Sequence, residues 1–295
     1  MIPGADVTEL HCGSLRFTAY SMGQGPLVLL VHGFPDTPAT FRHQLPFLAR
    51  QGFRAVAVTL RGYEPSSQPS DGNYYLHNLA NDVLDWMAAL GESRAHLVGH
   101  DWGATIAFAA ARLRPAAFSS LTLMAVPQPA RFAELLGRDR AQQRRSSYMV
   151  FFQLRGIAEF LIRIRNFAYL ERLWGKWSPG WTGGAASLAE VKSAFRQPGV
   201  LRAALSYYRQ ALDTKSPAGE AGVQLLLPPL PVRTLGIFGQ RDGCIGGEIF
   251  QKSMLSEDFP AGVEVAGFES AGHFVHQECA EQVNARWLEF ASAVG

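Results

Sequence analysis

The sequence predicts an α/β protein with a mostly parallel sheet, helices on both faces of that sheet, and an inserted helical cap. Short runs rich in Val and Leu alternate with longer helical patterns. Such runs are typical of strands buried on both faces of a parallel sheet, and their alternation with helices implies right-handed crossovers. The alternation breaks between residues 130 and 227, where arginines, aromatic residues and helix formers dominate. This break predicts the insertion.

Five apolar runs are predicted as strands, at 26–33, 54–60, 95–100, 120–126 and 232–239. Two helices are predicted between them, at 78–90 and 105–113, because apolar residues recur there at three- and four-residue steps. The segments 1–129 and 228–295 then form one core in two parts. The segment 130–227 forms the cap, with turns at WSPGWTGG and RQPGV and a closing segment LLLPPLP.

Composition favours a single large globular unit. The chain has 295 residues, 47% of them hydrophobic and 18% charged, and a chain of this size needs no disulfide support. The cysteines, Cys12, Cys244 and Cys279, are odd in number, widely spaced and in no metal-ligand pattern, which favours a reducing compartment and a cytoplasmic location. No metal site is predicted.

Charge and hydropathy exclude several partners. The N-terminus lacks a signal-peptide pattern, and no apolar run reaches the length of a membrane span. The net charge of +2 is too small to indicate a nucleic-acid partner. An arginine cluster at 138–145 is interpreted as a solvated helix face. The sequence is compatible with a homodimer.

The segment VGHDWGA, at 98–104, has the Gly-x-X-x-Gly shape of a nucleophile elbow. Asp101 stands where a serine is usual, on the predicted turn between a strand and a helix. Gly99 and Gly103 remove Cβ atoms that would clash in such a turn. The alternative is that Asp101 is an ordinary N-cap of the following helix.

Two later residues complete a catalytic order. Asp242 follows a predicted strand in IFGQRDGCI, and His273 lies in the Gly-flanked loop of ESAGHFVHQE. The order Asp101, Asp242, His273 matches nucleophile, orienting acid and general base. His276 is the competing histidine and is interpreted as structural. The remaining alternative for Asp242 is a turn residue before Gly243.

The fourth element is VHGFPDT, at 31–37, again at a predicted strand end. Its glycine lets the backbone turn so that the N–H of Phe34 faces the pocket. With the N–H of Trp102 it forms a predicted oxyanion hole with two donors. Loops at the ends of several strands therefore converge where open α/β sheets bind ligands.

These segments resemble the α/β-hydrolases of the epoxide hydrolase family over nearly the whole chain. The resemblance rests on HGFP, RGY, GHDWG, the aspartate of GQRDG, and GHF followed by HQE. It implies that two cap tyrosines donate hydrogen bonds to the epoxide oxygen. The segment SYMVFFQLRG resembles the family segment that contains the first of these tyrosines, which implies this role for Tyr148. The segment LSYYRQ resembles the one that contains the second, which implies this role for Tyr208, with Tyr207 as the alternative. Arg155 and Glu64 depart from the family pattern, which commonly has Pro and Gly there.

The resemblance implies hydrolysis of a lipophilic epoxide to a vicinal diol without a cofactor. An aspartate is already ionised and attacks an sp³ carbon directly, giving a covalent alkyl ester. His273, oriented by Asp242, then activates the water that cleaves this ester. The predicted walls of the apolar pocket are Phe34, Trp102, Phe151 and Phe152.

Three other functions compete with this prediction. A haloalkane or haloacid dehalogenase uses the same Asp–His–Asp triad, but Phe34 stands where haloalkane dehalogenases commonly carry Asn, and Trp102 where fluoroacetate dehalogenases carry Arg. Ester hydrolysis is disfavoured because an acyl group on Asp101 would form an anhydride. A non-catalytic ligand receptor of the same fold is disfavoured by the intact triad.

Overall fold

The sheet of the protein has eight strands, seen in a computed structural model that describes residues 2–293. The strands are β1 (Asp6–Cys12), β2 (Leu15–Met22), β3 (Leu27–Val31), β4 (Arg54–Val58), β5 (Ala95–His100), β6 (Phe118–Met124), β7 (Thr234–Gly239) and β8 (Val263–Phe268). Their order in the sheet is β1-β2-β4-β3-β5-β6-β7-β8. β2 pairs antiparallel with β1 and β4, and the other neighbours pair in parallel.

The helices fall into three groups along the chain. Those of the first core part are α1 (Gln44–Arg50), α2 (Leu76–Ala89) and α3 (Trp102–Leu113). Those between β6 and β7 are α4 (Pro129–Arg138), α5 (Arg140–Arg145), α6 (Tyr148–Phe151), α7 (Ile157–Trp177), α8 (Ala185–Arg196), α9 (Val200–Ala211) and α10 (Pro217–Gln224). Those that follow β7 are α11 (Gly247–Lys252), α12 (Val275–Glu278) and α13 (Ala280–Ser292). α7 is kinked at residues 164–167.

The central strands are buried on both faces, as their apolar runs predict. Leu29 and Val31 of β3 enter one hydrophobic cluster, while Val28 and Leu30 enter the cluster on the other face of the sheet. Each such side chain contributes about 1.5–3 kcal/mol through burial. The mostly parallel α/β fold is therefore confirmed, and the five predicted strands match β3 to β7.

The segment between β6 and β7 carries the helices α4 to α10, and we call it the cap. Several hydrogen bonds tie the cap to loops of the core. For example, the indole N–H of Trp174 donates to the carbonyl of Pro35, and the hydroxyl of Tyr207 donates to the carbonyl of Arg61. None of the helices described here combines the length and hydropathy that a membrane span requires.

The structure differs from the prediction at the ends of elements. β5 continues to His100 and α3 begins at Trp102, so the turn between them consists of Asp101 alone. The antiparallel pair β1–β2 and the edge strand β8 were not predicted. β1 buries only one of its side chains and β8 buries none, so both lack the continuous apolar runs that reveal the inner strands.

Candidate active site

The turn at Asp101 is strained and depends on glycines around it. Asp101 has φ 53° and ψ −121°, a backbone conformation that residues other than glycine rarely adopt. A Cβ atom on Gly99 would lie 2.2 Å from the carbonyl oxygen of Gly103, and one on Gly103 would lie 1.9 Å from that of Val31. A Cβ atom on Gly33 would lie 2.5 Å from Oδ1 of Asp101. These glycines let β3, β5 and α3 approach closely enough to present one carboxylate.

The carboxylate of Asp101 faces the loop after β3 rather than its own helix. Although Asp101 precedes α3, its side chain makes no capping hydrogen bond. The N–H of Phe34 instead donates to Oδ1 over 2.7 Å. Oδ2 lies 3.4 Å from Nε2 of His273. The two oxygens therefore have different surroundings, one next to a backbone donor and the other next to an imidazole.

Asp242 is held by its own loop. Its Oδ1 accepts hydrogen bonds from the N–H groups of Cys244, at 2.6 Å, and Ile245, at 3.0 Å. Its Oδ2 lies 2.9 Å from Nδ1 of His273. The loop after β7 therefore fixes one carboxylate oxygen and leaves the other for the histidine, as an orienting acid requires.

His273 lies between two carboxylates and is fully buried. Burial by itself lowers the pKa of an imidazole, but the negative charges of Asp242 and Asp101 outweigh it and raise the pKa of His273 to about 10. The imidazolium form is therefore stabilised while both carboxylates are ionised.

The end of α7 joins the Asp242 and His273 loops, a connection that sequence reasoning missed. The carbonyl of Trp177 accepts hydrogen bonds from the N–H groups of both Gly243 and His273. The hydroxyl of Ser178 donates to Glu278 and accepts from the N–H of Phe274. Backbone acceptors leave no motif, so the sequence offers no signal for this contact.

The two predicted cap tyrosines line the same cavity as Asp101. The ring centroids of Tyr148 and Tyr208 are 5.8 Å apart, and both side chains line a cavity of about 250 Å³ together with Asp101. The hydroxyl of Tyr208 is buried without a hydrogen-bond partner in the described chain, and that of Tyr148 lies 3.5 Å from Sγ of Cys244. Burial raises the pKa of both phenols well above the ordinary value, so both remain proton donors.

The alternative donor, Tyr207, points elsewhere. Its hydroxyl donates to the carbonyl of Arg61 over 2.7 Å, and its side chain is 1% exposed. The guanidinium of Arg61 in turn binds both carboxylate oxygens of Asp82. Tyr207 therefore belongs to a buried structural network, and the geometry favours Tyr208 as the second donor.

The cavity above Asp101 is largely apolar, but its walls differ from those predicted. Trp102 lines it, whereas the rings of Phe34 and Phe152 are fully buried beside Tyr208, and Phe151 lines a separate depression. The apolar walls come instead from Val126, Pro129, Phe132, Leu136, Met149 and Leu212. These side chains lie on the cap or at its junction with the core, and spacing within one segment could not reveal which of them converge.

The predicted oxyanion donors occupy different positions. The N–H of Phe34 contacts the Asp101 carboxylate directly, as described above. Trp102 is the first residue of α3 and follows Asp101, and the role of its N–H stays a prediction. His32 supports the Phe34 loop, because its Nδ1 donates to the carbonyl of Gly33 and its Nε2 accepts from the N–H of Leu60.

Among the residues that the structure describes, two groups of three donor atoms lie close enough together to hold a metal ion. Within each group the atoms are no more than 4.8 Å apart. One consists of Asp101, Cys244 and His273, the other of Asp36, His100 and His276. The second group lies behind the triad: the ring centroids of His100 and His273 are 5.0 Å apart, and Nε2 of His100 donates to the carbonyl of His273. His276, the competing histidine, shares a 2.6 Å hydrogen bond with Thr40, away from Asp101.

The two departures from the family pattern have distinct surroundings. Glu64 accepts hydrogen bonds from the N–H and the hydroxyl of Thr18, so it joins the loop after β4 to β2. Arg155 is exposed in the turn between α6 and α7. Neither side chain lines the cavity above Asp101.

Fold and site together define an α/β-hydrolase fold with a carboxylate on the strained turn between β5 and α3. A family model of the alpha/beta hydrolase fold matches residues 26–148. The "Epoxide hydrolase" of Caballeronia sordidicola is 31% identical over 324 residues, which cover 99% of this chain and 95% of that protein. The chain belongs to the epoxide hydrolase family.

Other similarities agree with this assignment. The mouse "Epoxide hydrolase 4" is 36% identical over 213 residues, which cover 68% of this chain. The match spans 59% of the length of that relative and the same share of its human counterpart. The crystal structure of a Bacillus megaterium epoxide hydrolase in complex with an inhibitor has a TM-score of 0.82 and 28% identity, covering 97% of this chain and 100% of that one.

Proposed function

We propose that the protein hydrolyses lipophilic epoxides to vicinal diols through a covalent ester on Asp101. The observation that carries this proposal is the shared cavity, which Asp101, Tyr148 and Tyr208 line together. An epoxide needs a nucleophile at carbon and hydrogen-bond donors at oxygen. The relatives named epoxide hydrolases support the same conclusion.

The first step forms a bond between a carboxylate oxygen and an epoxide carbon. Oδ1 of Asp101 is engaged by the Phe34 N–H, so Oδ2 is the attacking atom. The C–O bond of the strained ring breaks, and its electron pair passes to the epoxide oxygen. Tyr148 and Tyr208 donate hydrogen bonds to that oxygen, and one of them transfers the proton that completes the hydroxyl group.

The second step regenerates the carboxylate. His273 removes a proton from water, and the water oxygen attacks Cγ of Asp101. The negative charge that develops on Oδ1 is stabilised by the N–H of Phe34, with the N–H of Trp102 as the second proposed donor. The bond between Cγ and Oδ2 then breaks, the imidazolium of His273 gives its proton to Oδ2, and the diol leaves with that oxygen. The proton of the new Asp101 carboxyl group returns to the tyrosine that protonated the epoxide oxygen, which restores the starting state.

The charges around His273 determine at which step its imidazole can act as a base. The charges of Asp242 and Asp101 raise its pKa while Asp101 is a free carboxylate. Esterification removes the charge on Asp101, and one of the two causes of the raised pKa disappears with it. Esterification therefore lowers the pKa of His273 and favours the neutral imidazole, which is the form that can accept a proton from water, while Asp242 continues to orient its ring.

The side chains that line the cavity indicate the class of substrate. A cavity of about 250 Å³ lined mainly by apolar side chains favours an epoxide with an aliphatic or aromatic substituent over a charged one. The proposed steps use this chain's own groups and water, and they require no cofactor.

A single turnover in ¹⁸O-labelled water, with enzyme in excess over epoxide, tests the ester. The expected first product carries unlabelled oxygen from Asp101, and the peptide containing Asp101 gains the label. A labelled diol in the first turnover, with an unlabelled Asp101 peptide, would show direct attack by water and contradict the proposal.

A parallel assay separates epoxide from haloalkane hydrolysis. Both substrate types are offered to the wild type and to the Tyr148→Phe/Tyr208→Phe double variant. We expect epoxide turnover that the double variant loses. Turnover of haloalkanes without epoxide turnover, unaffected in the double variant, would identify a dehalogenase instead.

A further inference from the structure

A row of exposed apolar side chains crosses the cap at the junction of α6 and α7. Among the described residues, twelve large apolar side chains are exposed, and six of them lie between positions 150 and 164. We call this set the apolar cap face: Val150, Leu154, Ile157, Phe160, Leu161 and Ile164. Phe160 is 64% exposed. Apolar side chains concentrated in this way usually mark a contact surface.

The spacing separates this face from the side of α7 that packs on the protein. Ile157, Phe160, Leu161 and Ile164 recur at three- and four-residue steps, which places them along one side of the first part of α7. Val150 lies on α6 and Leu154 in the turn between the two helices. Ala158 and Ile162 lie on another side and are fully buried. α7 therefore presents one apolar side to the protein and a second apolar side to the surroundings.

Arginines flank the apolar cap face. Arg155 and Arg163 line a groove of about 920 Å³ that also includes Glu159. On the other flank, Arg165 and Arg172 line a depression of about 240 Å³ together with Leu161 and Ile164. The apolar row thus runs between two depressions that each carry cationic side chains.

The acidic residues of α7 do not neutralise these arginines. Glu159 binds Arg209 at 2.7 Å and also accepts from the N–H of Gly156. Glu171 is paired with Lys192. Both carboxylates of this helix are thus engaged with cations of α8 and α9, and the surface around the apolar cap face has a surplus of positive charge.

We propose that the apolar cap face docks on an anionic phospholipid surface. Apolar side chains enter the boundary between headgroups and acyl chains, while flanking arginines bind phosphate groups. A second copy of the chain fits less well, because a symmetric contact would bring the arginines of both copies together. An anionic lipid surface satisfies both the apolar row and the charge.

The apolar cap face adjoins the wall of the cavity above Asp101. Val150 belongs to the short helix α6, whose neighbouring residues Tyr148 and Met149 line the cavity above Asp101. A lipophilic molecule dissolved in the bilayer would therefore meet the protein close to this cavity. Docking itself does not depend on the proposed function.

Flotation with vesicles tests the proposal on the full chain. The probes are vesicles of phosphatidylcholine alone and vesicles of phosphatidylcholine and phosphatidylglycerol in equal amounts. We expect binding to the anionic vesicles, reversal by high salt, and weak binding to the neutral ones. Ile157→Asp should weaken binding by about tenfold or more, and Arg163→Gln by about fivefold.

Matched variants control for general effects of charge and exposure. Val7 and Ile157 are both 55% exposed, so Val7→Asp controls for the new charge, and Arg114→Gln controls for the lost one. Both controls should bind like the wild type. Equal losses in test and control variants, or a wild type that ignores anionic vesicles, would overturn the proposal. So would a vesicle-independent dimer, seen by sedimentation, that Ile157→Asp converts to a monomer.

Discussion

The core and the cap contribute to the candidate site in opposite ways. In the core, Asp101, Asp242 and His273 are each fixed by hydrogen bonds from backbone or from one another. In the cap, Tyr148 and Tyr208 are positioned by ring contacts, and their hydroxyl groups have few protein partners. The charged groups of the core are therefore already paired by hydrogen bonds within the protein. The tyrosine hydroxyl groups of the cap can still donate hydrogen bonds to a ligand.

This difference suggests a division of work. Groups that must hold charge through both proposed steps are organised before any ligand binds, which avoids reorganisation during the reaction. Groups that contact only the ligand keep a free donor, since a phenol already bonded to protein would have to exchange partners. The predictions below test this division, from the largest expected effect to the smallest.

Loss of the Asp101 carboxylate should have the largest effect. Asp101→Asn preserves shape but removes the charge, and we expect epoxide turnover to fall by at least about 10⁴-fold. His273→Gln should also stop turnover yet still permit ester formation. Mass spectrometry of the His273→Gln variant after substrate addition should therefore show an adduct on the Asp101 peptide. Turnover by Asp101→Asn within tenfold of the wild type would contradict this, as would His273→Gln without an adduct.

The cap tyrosines should have the next largest effect. Tyr148→Phe and Tyr208→Phe remove donors to the epoxide oxygen, and the double variant should slow ester formation by about 10²- to 10⁴-fold. Tyr207→Phe is the matched control: it should cost about 1 kcal/mol of unfolding free energy by losing the bond to the Arg61 carbonyl, without slowing the reaction. Pre-steady-state rates and urea unfolding give both quantities. A slow Tyr207→Phe with a fast Tyr208→Phe would reverse the assignment.

The ion pairs of His273 predict a dependence of stability on pH. The two carboxylates raise the pKa of His273 from an ordinary 6.5 to about 10, so they stabilise the folded protein fully below pH 6.5. This contribution should be lost as the pH rises from about 6.5 through about 10. The measurement is the difference in unfolding free energy between wild type and His273→Gln across that range. If this difference in unfolding free energy grew as the pH rises, the predicted direction of the pH dependence would be wrong.

The smallest effects concern the cavity walls. Met149→Ala removes a lining side chain and should raise KM for a lipophilic epoxide by about fivefold, or about 1 kcal/mol. Phe151→Ala alters a separate depression and should change KM by less than about twofold. Steady-state kinetics on both variants check this. A larger effect from Phe151 would restore the wall predicted from the sequence.

Local pattern predicted the inner strands and the chemistry at their ends, because parallel strands buried on both faces leave apolar runs and close turns leave glycines. The same reasoning failed for β1 and β8, whose faces are partly exposed. It also predicted Phe34, Phe151 and Phe152 as pocket walls, but none of them lines the cavity that contains Asp101. Phe34 and Phe152 are fully buried, and Phe151 lines a separate depression. The contact from the Trp177 carbonyl had no sequence signal at all.

The sequence by itself determined the order of chemical groups along the chain: an aspartate between glycines, a later aspartate, and a histidine in a Gly-flanked loop. These features are local, because a strained turn restricts which residue types can occupy it. The tertiary structure decided which groups meet. Asp101 and His273 approach within 3.4 Å, and Tyr208 rather than Tyr207 faces the cavity, because sheet order and cap packing fix distances between residues far apart in the chain.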